Sequence, residues 1–121
     1  MSVVRGIRGA TTVAANEPSA IVAATRELLE TVVRMNGVAP ADIASVTFTV
    51  TDDLDAAFPA RAARDMGWTD VPLVCAREIP VPGALGRCVR VLVQWNTDRA
   101  QSDIRHAYLH GARSLRPEWG L

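Results

Sequence analysis

From Arg87 to Trp95 the chain reads RCVRVLVQW, an apolar run with three valines that predicts a strand. Alternation puts Val89, Val91, Val93 and Trp95 on one face, and Cys88, Arg90, Leu92 and Gln94 on the other. Arg90 therefore stands between a cysteine and a leucine. A guanidinium keeps its proton at every accessible pH, so an inward Arg90 requires an anion, from the protein or from a ligand. Upstream, the stretch LVCAREI sets a second charge, Glu78, beside an apolar run, and a proline- and glycine-rich loop over residues 79–86 joins the two.

The rest of the chain supplies a frame for these charges. Residues 3–13, VVRGIRGATTV, form a glycine-containing first strand in which Arg5 and Arg8 face opposite sides. Asn16 and Pro18 open a helix that runs to about Met35, with Ile21, Leu28, Leu29 and Val32 on one side, a Glu30–Arg34 pair on the other, and Gly37 as its left-handed stop. Strict alternation in SVTFTVT predicts a strand over 45–51, with hydroxyls opposite Val46, Phe48 and Val50. Pro59 opens a short helix that ends at Gly67, and its Arg61 and Arg64 are neighbours on one face. A strand follows over 71–76. Because side chains alternate, Cys75 and Glu78 share a face only if the chain bends near Ala76 or Arg77. Thr97 and Asp98 predict a second main helix carrying Ile104, Ala107 and Tyr108 to about Gly111, with a short strand over 112–116. The expected fold is α/β, a mixed β-sheet packed by two main helices.

Composition narrows the function. A length of 121 residues fits one domain, 1–121, near the size where subunit association adds burial. The apolar fraction of 49% excludes general disorder, and no apolar run reaches the roughly 20 residues of a membrane span. Thirteen basic and 13 acidic residues balance, so no net field draws the chain to nucleic acid or an anionic membrane. Every basic residue is arginine, which removes lysine Schiff bases and P-loop lysines from consideration. The first residues do not read as an export signal, and two cysteines in predicted strands do not read as a disulfide framework. A cytoplasmic location is expected. His106 and His110 have a metal-ligand spacing but no accompanying HExxH glutamate, and the acids at 52, 53 and 55 lack the spacing of a calcium loop, so neither predicts a metal site. Cys75 has no signature linking it to a histidine and reads as a packing residue rather than a nucleophile. Arg8, Arg64, Arg90 and Arg116, with Glu78 and Tyr108, are candidates to converge on a small polyanion.

The blocks IRGATTV, AAFPARAAR, VPLVCAREI, GRCVRV and IRHAYLHGARSLRP, in this order and end to end, resemble the small monofunctional chorismate mutases of the AroH class. The resemblance implies a trimeric pseudo-α/β-barrel with active sites between subunits, and the Claisen rearrangement of chorismate to prephenate in aromatic amino acid biosynthesis. It implies that Arg90 faces the breaking ether bond and a carboxylate, that Glu78 accepts from the ring hydroxyl, and that Arg8 binds a carboxylate. Tyr108 and the stretch Val74, Cys75, Ala76 and Arg77 would line the same cleft. Phe58, Ala60 and Arg64 would complete it from the adjoining subunit, and Leu115 and Arg116 would close over it. Arg61 stands where the family commonly has lysine, the turn before Trp68 is one residue short, and the tail after Pro117 is shorter than usual.

Such a pericyclic reaction needs no nucleophile, metal or cofactor, only a folded conformer of a flexible dianion and positive charge where electrons accumulate. On this reading Glu78 and Arg90 serve opposite ends of the dianion, with water or buffer anions between them in the free protein. Two other functions use similar residues: a non-catalytic sensor of small carboxylates, and an imine deaminase of the Rid type.

Overall fold

The computed structural model describes residues 2–119. Five strands form one mixed sheet: β1 (Val3–Thr12), β2 (Ile43–Val50), β3 (Leu73–Arg77), β4 (Cys88–Thr97) and β5 (Ala107–Tyr108), in the order β3-β2-β4-β1-β5. The central strand β4 runs antiparallel to both β1 and β2, while β3 and β5 add in parallel at the two edges. Two helices, α1 (Pro18–Asn36) and α2 (Ala60–Asp65), accompany the sheet, so the mixed α/β fold expected from the pattern is the one observed.

The helices cover one face. Leu28, Leu29 and Val32 of α1 and Ala62 and Ala63 of α2 share a buried cluster with Ile7, Val46, Phe48, Val91, Val93 and Trp95, the odd-numbered face of β4. The opposite face is left partly open, with Val74 61% and Leu92 40% exposed. An antiparallel sheet tolerates one uncovered face, but exposed valine and leucine there are not what water selects.

Local chemistry departs from expectation at the start of α1. Asn16 does not cap it; Glu17 occupies the cap position without a side-chain bond. The Asn16 amide instead donates to Asp55 and accepts from the backbone N–H groups of Asp55 and Ala56. Its donor and acceptor together match a loop backbone better than a helix end, which offers donors alone. Gly37, at φ 73°, stops the helix as expected. Glu30 pairs with Arg26 at 3.7 Å.

The second main helix expected over residues 97–111 does not form. That stretch becomes a 3-10 turn (Gln101–Asp103), the strand β5 and a second 3-10 segment (His110–Leu115), which also replaces the expected short strand. Helical spacing of Ile104, Ala107 and Tyr108 is satisfied differently, because the outer edge of β1 carries backbone groups that need partners. Ala107 and Tyr108 pair with Gly9 and Ala10, and the Leu109 N–H donates to the Ala10 carbonyl. Close approach is possible because Gly9 has no side chain: a Cβ there would lie 3.0 to 3.2 Å from Leu28, Ala107 and Val91.

Candidate active site

Lateral pairing across the sheet aligns Tyr108, Ala10, Arg90, Thr49 and Ala76 in one row on the partly open face. Ala10, fully buried, separates Arg90 from Tyr108. Arg8 lies two residues along β1 on the same face. Glu78 follows the end of β3, where its N–H donates to the Val50 carbonyl. β3 pairs regularly with β2 through Arg77, so no bend brings Cys75 and Glu78 to one side. Cys75 turns toward the helix-covered core, and Glu78 toward Arg90.

The charges meet directly, contrary to the expected separation by water or anions. Glu78 Oε2 accepts from the Thr49 hydroxyl and lies 3.5 Å from Arg90 Nε. That distance is an ion pair without a directed hydrogen bond. Among the described residues, three buried side-chain polar atoms have no hydrogen-bond partner: Arg90 Nε, Tyr108 OH and Trp95 Nε1. Two of these three sit on either side of Ala10. Buried donors without partners are rare in folded proteins, and two of them in one row are open to an acceptor from a ligand or water.

The C-terminal turns fold over this row. Leu115 and Trp119 pack on the cluster of Ala10, Cys88, Tyr108 and Ala112. Arg8 stands 5.9 Å from the rings of both Tyr108 and Trp119, and Arg116 lies 3.7 Å from the Trp119 ring. Burial pushes the Tyr108 phenol above its usual pKa, against the opposing pull of Arg8, Arg90 and Arg116. It also raises the Cys88 thiol, keeping it protonated beside Arg90. The hydroxyl thus remains a donor in a field set by arginines.

Arg8, Glu78, Arg90, Tyr108, Leu115 and Arg116 are thereby brought together. Phe58, Cys75 and Arg77 are not among them; with Ala76, which ends the row at β3, they line a separate cleft of about 500 Å³ at the β3 edge. Tyr108 lies at the β5 edge, four strand spacings away, or roughly 19 Å. One small molecule cannot reach both Tyr108 and that cleft within one chain. Phe58 is 70% exposed, whereas Ala60, 5% exposed, is buried in the core and offers a ligand no side-chain surface. Arg64 is exposed on α2, Val74 projects from the partly open face, and Arg77 pairs with Asp52 at 3.0 Å. Ala10, Thr49, His106 and Trp119 escaped the sequence reading as site residues. The alternation of SVTFTVT shows that Thr49 faces away from Phe48, but only the register with β4 places it against Glu78.

Residues 4–119 match the family chorismate mutase type I. The chain belongs to that family. It is 55% identical over 116 residues to chorismate mutase AroH of Thermus thermophilus, covering 95% of each chain. To chorismate mutase AroH of Bacillus subtilis (strain 168) it is 42% identical over 119 residues, covering 98% of this chain and 94% of that protein. Among solved structures it is similar to a chorismate mutase from Clostridium thermocellum, with a TM-score of 0.89 and 54% identity over 90% of this chain and 97% of that one.

Proposed function

We propose that the protein is a chorismate mutase, an isomerase that rearranges chorismate to prephenate on the way to aromatic amino acids. The observation that carries this reading is the pair of buried donors without partners, Arg90 Nε and Tyr108 OH, held on either side of Ala10 with arginines around them. In the rearrangement an ether C–O bond breaks as a C–C bond forms, no proton changes hands, and negative charge grows on the ether oxygen. Arg90 donates to that oxygen. Arg8 holds a carboxylate, and Glu78, steadied by Thr49, accepts from the ring hydroxyl. The substrate takes over both partners of the Glu78–Arg90 contact, so neither charge is left bare. A millionfold acceleration requires about 8 kcal/mol, and one preorganised donor at a developing oxyanion supplies about 3 to 4 kcal/mol. Fixing a flexible dianion in its reactive conformer supplies the remainder.

The second part of the reading is a homotrimer with active sites between subunits. Its support is the separation of the Phe58–Cys75 cleft from the Arg90 row, together with the exposed Val74 and Leu92 on the open sheet face. A neighbouring subunit that covers this face can bring its own Phe58 edge to the Arg90 row. Incubation of the purified protein with chorismate, followed by loss of its ultraviolet absorbance and appearance of prephenate, tests the activity. Binding of chorismate without turnover would overturn it. Sedimentation equilibrium tests the trimer, which a monomeric mass would exclude.

A further inference from the structure

The backbone N–H of Arg8 donates to His106 Nδ1 at 2.9 Å. β5 pairs with β1 only at Gly9 and Ala10, so at Arg8 an imidazole stands where a longer strand would place a carbonyl. The same ring stacks on Trp119, with centroids 3.9 Å apart and planes tilted by 39°. Trp119 in turn carries Arg116 against its face. One histidine therefore ties the backbone of one site arginine to the aromatic platform of another.

An Nδ1 that accepts a hydrogen bond carries no proton, so the ring is the neutral tautomer protonated at Nε2. We propose that His106 is a positioning residue whose neutral imidazole holds Arg8 and the Trp119–Arg116 segment in place for substrate capture, and whose protonation releases both. This kinetic role rests on the chorismate mutase reading above. A proton on Nδ1 would turn the acceptor into a donor facing the Arg8 N–H and add a cation beside two arginines. The charged groups around the ring are Arg8 from β1 and Arg116 from the C-terminal turns, where Glu118 is engaged by Arg116. Tyr108 lies on its own strand, Arg105 beside it is exposed, and α1 presents the uncharged Asn36, which is bonded to the Arg105 backbone. Burial first, then Arg8 and Arg116, hold the His106 pKa below its usual value of 6.5, so the neutral form persists through the neutral range.

Two substitutions separate the ring from its acceptor. His106→Phe keeps a ring for Trp119 but orphans the Arg8 amide; His106→Asn places Oδ1 near the Nδ1 position and does not titrate. For chorismate turnover, His106→Phe should raise KM about tenfold, the scale of an orphaned buried amide, and leave kcat within about threefold. In the wild type KM should rise as pH falls through the His106 pKa, and in His106→Asn that acid rise should vanish. A wild-type KM in His106→Phe, or an acid rise that persists in His106→Asn, overturns the proposal. Nuclear magnetic resonance of the free protein reads the contact without substrate: the Arg8 amide shift should titrate with the His106 ring and stay flat in His106→Asn. If wild type does not turn over chorismate, the functional reading and the capture role fall, while the Arg8 titration still decides the contact. If His106→Phe does not fold, the acid limb of His106→Asn decides.

Discussion

Arg90 Nε lies 3.5 Å from Glu78 Oε2 and yet makes no hydrogen bond to it. The carboxylate is oriented by Thr49 instead. Both side chains are only about a quarter exposed, Arg90 at 29% and Glu78 at 25%, but without an aligned hydrogen bond the pair does not have the geometry of a strong one. An ion pair built for stability would have aligned its donors with its acceptors. This one keeps a guanidinium charged, close to an anion, and free to turn to a better acceptor.

Replacing Arg90 by citrulline, which keeps its shape and removes its charge, should lower kcat about 100-fold to 1,000-fold, the range for loss of one oxyanion donor. KM should change far less, because the charge matters most as the ether bond breaks. Steady-state kinetics at saturating chorismate measure the split, and equal loss in binding alone would contradict the role.

Glu78→Ala should impair turnover while leaving the melting temperature within a few degrees of wild type, as expected for a pair without an aligned hydrogen bond. Calorimetry beside the kinetic assay checks this. A variant that fails to fold would make Glu78 a structural residue.

Tyr108→Phe removes a buried hydroxyl that bonds to no protein group among the described residues. Stability should be unchanged or rise by up to about 1 kcal/mol, because an unsatisfied buried polar group is lost. kcat/KM should fall. A loss of more than about 1 kcal/mol in urea unfolding would show that the hydroxyl is already satisfied.

The proposal that active sites are shared between subunits predicts complementation. Arg90→Ala spoils the arginine row, and Phe58→Asp spoils the separate cleft. Each alone should be nearly inactive. Refolding the two together should recover a measurable fraction of wild-type activity, whereas a site confined to one chain would recover none.

Asp53 accepts from the Thr51 hydroxyl and, with both carboxylate oxygens, from the Arg87 N–H at 2.9 and 3.0 Å. It fastens the loop into β4 at a residue with φ 46°. Chiefly through the Thr51 bond, its pKa lies below the usual 3.8 in the folded protein. A depressed carboxylate stabilises the fold fully above its unfolded pKa, and that contribution fades as pH falls through the lower folded value. Asp53→Asn should therefore lower stability at neutral pH, by less than a buried bond would because Asp53 is exposed, and the difference should close as pH falls through the folded pKa. Urea melts at several pH values test the convergence.

The strand parity that isolates Arg90 and the alternation of SVTFTVT were legible because each is a local, period-two pattern. So was the Gly37 stop, which only a left-handed residue provides. Two readings failed because the competing partner was far along the chain: Asn16 serves the loop at Asp55 rather than α1, and residues 107–108 join the β1 edge rather than a helix. The family likeness named Arg90, Glu78, Arg8 and Tyr108 from the sequence, but not how they meet. The row from Tyr108 through Ala10 and Arg90 to Thr49 depends on the register of four strands, which no local pattern contains. Alternation decides which face a side chain takes; long-range backbone hydrogen bonding decides its neighbour, and that alone set Arg90 beside Glu78 and Arg8 on His106.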